Sequence, residues 1–323
     1  MKISTWSSIA IAVLLFFPTL ISVTQGQGIK PDTIQGINFY GLETPSKDFV
    51  CSWQHPPTYY LDKLHDIGFN AVRLPFSYEW VGDNDFSKMD YFFTSCEARN
   101  MTIILDMHRV WSSHQGPNPT EGISMNDFIQ RWITVMERYV DRPILTGIDI
   151  FNEDQNTDPN EWNNILRQIA TALENRFPGR FTYFCGGTRW GGDISGINIE
   201  DVPFHDRVIY TIHKYTFSSS GNYIDDWNYS FGPFADVPGK VSVGEFGWKQ
   251  DMPDQVSWAT QFIDYLKKRN IGNDFFWTVA LSGDTSGLWQ DDCETFQYDK
   301  WNLLKTLWDD EERKRMLRGG NKH

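Results

Sequence analysis

Short apolar runs recur along the chain and alternate with longer stretches whose apolar residues follow a helical period. Most of the short runs are apolar throughout, which is typical of parallel strands covered on both faces. They predict eight strands, at residues 34–39, 71–75, 102–108, 147–152, 181–185, 208–213, 240–245 and 274–279. The longer stretches predict five helices, at 59–67, 89–99, 125–140, 161–175 and 255–269. The interval between the fifth and sixth strands has no clear helical pattern.

Eight strands that alternate with helices predict an α/β fold in which a parallel sheet closes as a (β/α)₈ TIM barrel. A chain of 323 residues is within the range of one such barrel. The sequence contains no Pro/Gly/Ser-rich linker, low-complexity tract or internal repeat. We therefore predict a single domain over residues 27–323.

The first 26 residues have the pattern of a secretory signal peptide. Lys2 precedes an apolar run at 9–17, and small residues near Gly26 offer a cleavage point. The apolar run is too short to cross a bilayer, and no second stretch is long enough. We expect residues 1–26 to be removed and the protein to be secreted and extracellular. Glycosylation sequons at 100–102 and 228–230 fit that expectation.

The composition of the chain indicates which kinds of molecule this protein could bind. The formal net charge is −13, which argues against nucleic acid and against anionic membrane surfaces. Aromatic residues make up 15% of the chain and include 14 Trp, more than a core of this size needs. Tryptophan also stacks on sugar rings and packs at interfaces. We expect a soluble acidic monomer with no nucleic-acid or membrane partner.

Polar residues of particular types stand at the ends of the predicted strands. Barrel enzymes place their chemistry at the C-terminal ends of the strands. Solvated loops favour Ser, Gly, Asp and Lys, whereas these ends carry residues suited to proton transfer, charge stabilisation or ring stacking. Six of the eight predicted strands contribute, with Arg73, His108, Asn152 and Glu153, His213 and Tyr215, Glu245, and Trp277.

Glu153 and Glu245 end the fourth and seventh predicted strands, which face each other across the mouth of an eight-stranded barrel. Enzymes that cleave a glycosidic bond commonly use two carboxyl groups, one on each side of that bond. Their environments must differ, so that one stays protonated while the other is ionised. Arg73 could hold one of them ionised. Either glutamate alone would be read as a solvated loop residue; the whole set favours catalysis.

Short motifs around these residues resemble those of glycoside hydrolase family 5, the cellulase-like retaining enzymes. The resemblance extends over roughly residues 34–305. Each motif is short, but their order and spacing together are specific. The motifs are AVRLP at 71–75, DMHR at 106–109, FNE at 151–153, HKY at 213–215, GEFG at 244–247, FW at 276–277 and SGDTSGL at 282–288.

The resemblance implies a role for each of the eight residues at the predicted strand ends. It implies that Glu153 is the acid/base and Glu245 the nucleophile of a retaining reaction. Asn152 would bind the 2-hydroxyl of the sugar in subsite −1, and Arg73 would support the nucleophile.

The remaining four residues would complete that site. The resemblance implies that Tyr215 contacts the nucleophile and that His213 lies near the acid/base and tunes its protonation. His108 would help to bind the sugar in subsite −1, and Trp277 would form its stacking floor.

The resemblance also implies a polysaccharide substrate, first of all a β-1,4-glucan cleaved internally. Mannan, xyloglucan or β-1,3-glucan as substrate, and exo action, stay open at this point. A non-catalytic carbohydrate-binding barrel is a further alternative. We expect no cofactor and no catalytic metal, because no His-x-His or His-Glu-x-x-His spacing is present.

Asp154 departs from the family pattern, in which Pro commonly follows the acid/base. Its carboxylate would raise the pKa of Glu153 if both side chains pointed the same way. The acidic segment 154–158 imitates a calcium loop, but Pro159 and Ile165 replace the required Gly and Glu. Asp158 and Pro159 instead predict the start of a helix.

Four cysteines remain after removal of the leader. Cys51 and Cys293 fall in the first and eighth loops, which are neighbours in a closed barrel, and we predict a disulfide between them. Cys96 and Cys185 lie on distant elements, and we predict that both are free and buried.

Six tryptophans fall in loops that the barrel would place on its catalytic face. We expect some to stack on sugars and others to pack in the core of the loops. Trp248 and Trp289 are the secondary candidates for stacking, after Trp277. The six are Trp53, Trp80, Trp111, Trp190, Trp248 and Trp289.

Overall fold

The computed structural model describes residues 33–218 and 222–308. Eight parallel strands close into a barrel in chain order, and the eighth pairs with the first. All eight predicted strands are present, with ends shifted by up to three residues, so the (β/α)₈ prediction is confirmed. The strands are β1 Gln35–Asn38, β2 Ala71–Ser77, β3 Thr102–Arg109, β4 Leu145–Asp149, β5 Thr182–Gly186, β6 Val208–Lys214, β7 Val241–Phe246 and β8 Asn273–Phe276.

The five predicted helices are all present, and four shorter ones were not predicted: α2, α6, α7 and α9. The nine helices of the described residues are α1 Pro57–Asp66, α2 Tyr78–Gly82, α3 Ser87–Glu97, α4 Met125–Tyr139, α5 Pro159–Arg176, α6 Tyr223–Ser230, α7 Gly232–Ala235, α8 Pro253–Lys268 and α9 Tyr298–Leu304. Within the described ranges, none is long and apolar enough to cross a membrane. The predicted signal peptide lies outside the described residues.

The connection between β5 and β6 has no α-helix over residues 187–207. One 3₁₀ turn, His205–Arg207, precedes β6. Ile194, Ile197 and Ile199 are buried against the core instead. Apolar residues at irregular spacing therefore cover this side of the barrel, which explains why the sequence showed no helical period there.

Helix α5 begins as predicted from residues 158–161. The side chain of Asp158 accepts hydrogen bonds from the backbone N–H of Asn160 at 2.9 Å and of Glu161 at 3.4 Å. Pro159 occupies the first turn, where a missing N–H is not needed. The acidic segment before it is thus the start of a helix.

The inside of the barrel changes from apolar to charged along the strands. Its lower layer is a small cluster of Ile34, Ala71, Ile104, Phe184 and Phe275. Gly36 makes room for this layer, since a Cβ there would lie 2.2 Å from the Phe275 ring.

Strand side chains alternate between faces, so positions two residues further along point to the same interior. Two residues beyond Ala71 and Ile104 stand Arg73 and Asp106, and both are fully buried. The alternation therefore stacks a charged layer directly on the apolar one, beneath the catalytic mouth.

A disulfide joins Cys51 to Cys293 across 242 positions of sequence. It ties the β1–α1 loop to the segment after β8, as predicted for neighbouring loops. Cys96 and Cys185 are buried and free, also as predicted.

Candidate active site

A cleft of about 610 Å³ opens at the C-terminal ends of the strands. This volume is typical of a small-molecule or oligosaccharide site. Seven of the eight predicted site residues line it, and Arg73 lies directly beneath with 1% of its surface exposed. The seven are His108, Asn152, Glu153, His213, Tyr215, Glu245 and Trp277. The fold therefore brings all eight predicted residues together.

Arg73 is surrounded by three carboxylates. Nη1 lies 2.8 Å from Oε1 of Glu245, Nε lies 2.9 Å from Oδ2 of Asp149, and Nη2 lies 3.1 Å from Oδ2 of Asp106. Burial disfavours the charged guanidinium, but these carboxylates outweigh it and raise the pKa of Arg73. Arg73 thereby fixes the position of the Glu245 carboxyl group through a charge-assisted hydrogen bond.

The two aspartates under the cleft were not predicted as part of the site. Burial raises the pKa of Asp106 to about 7 and that of Asp149 well above its ordinary value. One guanidinium cannot balance three ionised carboxylates in a dry interior, so protonation of an aspartate relieves the excess charge. The inward alternation along β3 and β4 was the sequence signal that could have revealed them.

Asn152 is held by hydrogen bonds at both ends of its amide. Its Oδ1 accepts from Nη2 of Arg73 at 2.8 Å, and its Nδ2 lies 3.2 Å from Nε2 of His108. Nδ1 of His108 lies 2.6 Å from Oδ2 of Asp106. Burial lowers the pKa of His108 well below its ordinary value, so the ring is neutral, donates to Asp106 and accepts from Asn152. Only one orientation of the Asn152 amide satisfies both contacts.

Tyr215 forms a hydrogen bond with the second carboxylate oxygen of Glu245. Its hydroxyl donates to Oε2 at 2.7 Å. Burial and the neighbouring carboxylate raise the pKa of Tyr215 well above its ordinary value, so the phenol keeps its proton. Glu245 is therefore oriented through both oxygens, and its side chain is only 6% exposed.

Glu153 lies in a different setting, in which no Lys or Arg of the described residues forms an ion pair with it. Its Oε1 is 2.9 Å from Nδ1 of His213, and its side chain is 16% exposed toward the cleft. Burial raises the pKa of Glu153 to about 7 and lowers that of His213 to about 4. The two glutamates thus have the unlike environments that the sequence analysis required.

The two glutamates are close to each other and to His213. One carboxylate oxygen of each and one imidazole nitrogen all lie within 4.8 Å of one another. A separation of about 5 Å is typical of retaining glycosidases, whereas inverting enzymes need about 6.5–9.5 Å to admit a water. The same three side chains are the one group of potential metal ligands in the described ranges.

The expected influence of Asp154 on Glu153 depended on a shared direction, which the structure does not provide. Both oxygens of Asp154 face Thr157, accepting from its backbone N–H and from its hydroxyl. The raised pKa of Glu153 comes from burial, opposed by Arg73 and Arg109. Asp154 instead closes a turn ahead of α5.

Trp277 lines the cleft as predicted, and its indole N–H donates to Oγ of Ser282 at 3.2 Å. The secondary stacking candidates were wrong: Trp248 and Trp289 are fully buried. Trp248 packs on Phe276, with ring centroids 5.3 Å apart, and so belongs to the apolar core beneath the loops after β7 and β8.

Two exposed aromatic residues also line the cleft: Trp190, which is one of the six loop tryptophans named from sequence, and Phe217, which the sequence analysis did not name. Trp190 is 48% exposed and Phe217 is 64% exposed. Phe217 stacks on Tyr215 with centroids 4.9 Å apart. The backbone N–H of Trp190 donates to the carbonyl of Asp154 at 2.7 Å, which fixes its loop beside Glu153. Sequence placed Trp190 in a loop but could not separate it from buried loop tryptophans.

Comparison with known proteins agrees with this geometry. The chain is 26% identical to an endoglucanase of Paenibacillus polymyxa, across 87% of this chain and 85% of that protein. It is 25% identical to the major extracellular endoglucanase of Xanthomonas campestris pv. campestris, across 85% of this chain and 67% of that protein.

Solved structures give the same result. An endocellulase from Pyrococcus horikoshii superposes with a TM-score of 0.78 at 26% identity, across 86% of this chain and 93% of that one. The catalytic domain of the Xanthomonas campestris enzyme has the same fold, with a TM-score of 0.75 at 23% identity. Residues 31–281 match the cellulase family, glycosyl hydrolase family 5. The chain therefore belongs to that family and is a glycoside hydrolase of the endoglucanase type.

Proposed function

We propose that this chain is a secreted, retaining endo-β-1,4-glucanase in which Glu153 is the acid/base and Glu245 the nucleophile. The observation that carries the proposal is the close pair of glutamates in unlike environments. Glu245 is in contact with the Arg73 guanidinium at 2.8 Å, whereas burial raises the pKa of Glu153 to about 7 and keeps a proton on it below that pH.

In the first step, an oxygen of Glu245 attacks the anomeric carbon of the sugar in subsite −1. As the glycosidic bond breaks, the proton of Glu153 passes to the departing oxygen, and the leaving chain carries a new hydroxyl. The anomeric carbon is now esterified to Glu245, and Glu153 is ionised.

In the second step, Glu153 removes a proton from water on the side the leaving chain vacated. The resulting hydroxide attacks the anomeric carbon and the ester bond to Glu245 breaks. Two displacements at one carbon retain its configuration, and both glutamates return to their initial states.

Four neighbours would support these steps. Arg73 and Tyr215 hold one oxygen each of Glu245, which fixes the angle of attack. Asn152, locked by its own contacts, would donate its free amide proton to the 2-hydroxyl of the sugar. Trp277 would carry the sugar ring on its indole.

The substrate and location are supported by the relatives. The two curated relatives described above are endoglucanases, one of them extracellular by name. The disulfide between Cys51 and Cys293 suits an oxidising compartment.

Hydrolysis of carboxymethylcellulose by wild type, Glu153→Gln and Glu245→Gln tests the proposal. Both variants should lose activity, and an activated 2-fluoro glycoside should label Glu245. Glu161→Gln, an exposed change of the same type, is the matched control and should retain activity. Full activity in either site variant, or a label on another residue, would refute the corresponding role.

The polymer itself is tested with a panel of cellulose, mannan, xyloglucan and β-1,3-glucan, with product sizes measured. Long products appearing first identify internal cleavage. Preference for another polymer would keep the mechanism and change the substrate. Since Glu153, His213 and Glu245 could also hold a cation, activity should be measured in a strong chelator, where we expect no change.

A further inference from the structure

Lys300, in α9, is a buried amine that the proposed reaction does not use. It is fully buried, and its Nζ donates to four oxygens. These are the carbonyls of Trp248 at 2.6 Å, Thr285 at 3.0 Å and Ser286 at 3.1 Å, and the Ser286 hydroxyl at 2.7 Å. No carboxylate of the described ranges forms an ion pair with it.

Two aromatic rings complete its surroundings. Nζ lies 5.6 Å from the ring centroid of Trp248 and 5.8 Å from that of Phe276. Carbonyl dipoles and ring faces therefore contact the ammonium form in place of an anion, and burial lowers the pKa of Lys300 to about 7. Such a cation is costly to bury, which sets Lys300 apart from the surface lysines of this chain.

The oxygens around Lys300 belong to the two loops that end in the cleft. Trp248 follows β7, whose end carries Glu245, and Thr285 and Ser286 belong to the loop after β8. The base of that second loop is tied independently, by backbone bonds from residues 288 and 289 to residues 278 and 279. Its tip, residues 281–287, is held by Lys300 and by a bond from Ser286 N–H to the carbonyl of Ser282 at 2.8 Å. The Tyr40 hydroxyl also donates to the carbonyl of Leu281 at 3.0 Å, and the Gln297 side chain donates to the carbonyl of Gly287 at 2.7 Å, so Lys300 is the contact specific to Thr285 and Ser286.

The tip in turn holds the indole of Trp277. The hydroxyl of Thr285 donates to Oγ of Ser282 at 2.9 Å, and the same oxygen accepts from the Trp277 indole at 3.2 Å. Lys300 is thus connected to the indole at the cleft in three steps. It binds the backbone of Thr285, the side chain of Thr285 binds Ser282, and Ser282 binds the indole of Trp277.

We propose that Lys300 is a positioning residue for substrate binding: through the carbonyls of Thr285 and Ser286 it fixes the loop tip that orients Trp277. It acts without touching the sugar. This inference rests on the proposed function, because it takes Trp277 as the sugar platform of a β-1,4-glucanase.

The test compares Lys300→Met, which keeps the approximate length of the side chain and removes its hydrogen-bond donors, with Lys268→Met at the exposed end of α8. The measured quantities are KM and kcat for cellotetraose, and the Kd of cellotetraose by calorimetry in a Glu245→Gln background. We expect Lys300→Met to raise Kd and KM about tenfold, because that is the effect of losing one ring-stacking contact. The value of kcat should change little. Lys268→Met should match wild type.

A double-mutant cycle separates positioning from general stabilisation. In a Trp277→Ala background, Lys300→Met should cause no further rise in Kd, since the platform is already absent. Additive effects would show that Lys300 acts elsewhere and would overturn the inference. An unchanged Kd in Lys300→Met alone would overturn it too.

Ser282→Ala provides a second route if Lys300→Met does not fold. It cuts the link between the loop tip and the indole but leaves the surroundings of Lys300 intact. It should raise Kd by a similar factor, again without effect in the Trp277→Ala background; additivity there would contradict the inference. A wild type that neither binds nor hydrolyses cellotetraose would overturn the proposed function itself, a result distinct from any Lys300 outcome.

Discussion

Nδ1 of His213 lies 2.9 Å from Oε1 of Glu153, and burial moves the pKa values of the two groups in opposite directions. The pKa of Glu153 rises to about 7, and that of His213 falls to about 4. Between these values both groups are neutral, so Glu153 carries its own proton and can donate it to Nδ1 of His213. Among residues 33–218 and 222–308, no Lys or Arg forms an ion pair with Glu153, which leaves that proton available to a leaving group.

This pair predicts the alkaline side of the pH profile. The first reaction step needs protonated Glu153, so kcat/KM should fall as the pH rises through about 7. Measuring kcat/KM for cellotetraose from pH 4 to 9 checks this. With a dinitrophenyl cellobioside, whose leaving group needs no proton, the decline near 7 should weaken. An equal decline for both substrates would assign the titration to another group.

Tyr215→Phe should lower kcat by about 10- to 100-fold, because a hydrogen bond to a charged carboxylate is worth about 1.5–3 kcal/mol. The lost contact is the 2.7 Å bond to Oε2 of Glu245. Tyr265→Phe is the matched control, since its hydroxyl bonds to Asn228 at 2.9 Å, away from the cleft. Steady-state kinetics of both variants decide the point, and equal losses would contradict it.

Arg73→Met should destabilise the fold as well as abolish activity. It leaves Asp106, Asp149 and Glu245 buried without their cation, and breaking a buried ion pair costs about 3–5 kcal/mol. Urea unfolding measures the free energy. Arg176→Met, which removes an exposed pair with Glu137, should cost at most about 1 kcal/mol. Similar losses in the two variants would mean that the buried cluster adds no stability.

Removing the disulfide by a Cys51→Ser/Cys293→Ser double change should lower the free energy of unfolding by about 2–4 kcal/mol. The reason is the long loop, 242 positions, that the bond closes in the unfolded chain. Reductant should destabilise wild type to the same extent and leave the double variant unaffected. A wild type insensitive to reductant during unfolding would speak against the bond.

Trp190→Ala should raise KM for long oligosaccharides about two- to tenfold, the value of one aromatic contact, and leave a short aryl cellobioside unaffected. Trp190 lines the cleft beside Glu153, the side on which the leaving chain lies. Trp53→Ala is the control, because Trp53 is 65% exposed but does not line the cleft. If Trp190→Ala and Trp53→Ala changed KM by the same factor, Trp190 would not be a sugar-binding residue.

Much of this protein followed from sequence alone. Short apolar runs and helical periodicity are local properties, so they located all eight strands and the five longer helices. Barrel topology then brings every strand end to one mouth, which is why Arg73, Glu153 and Glu245 could be grouped without coordinates. The disulfide followed from the same adjacency of the first and last loops.

Tertiary structure decided what depends on packing between distant residues. The sequence could not tell that Asp154 turns toward Thr157, or that Trp248 is buried while Trp190 faces the cleft. Nor could it show that Asp106 and Asp149 share Arg73 with Glu245. A pKa depends on the solvent and charge around a group, and Glu153 acquires its raised value only when the folded barrel removes it from water.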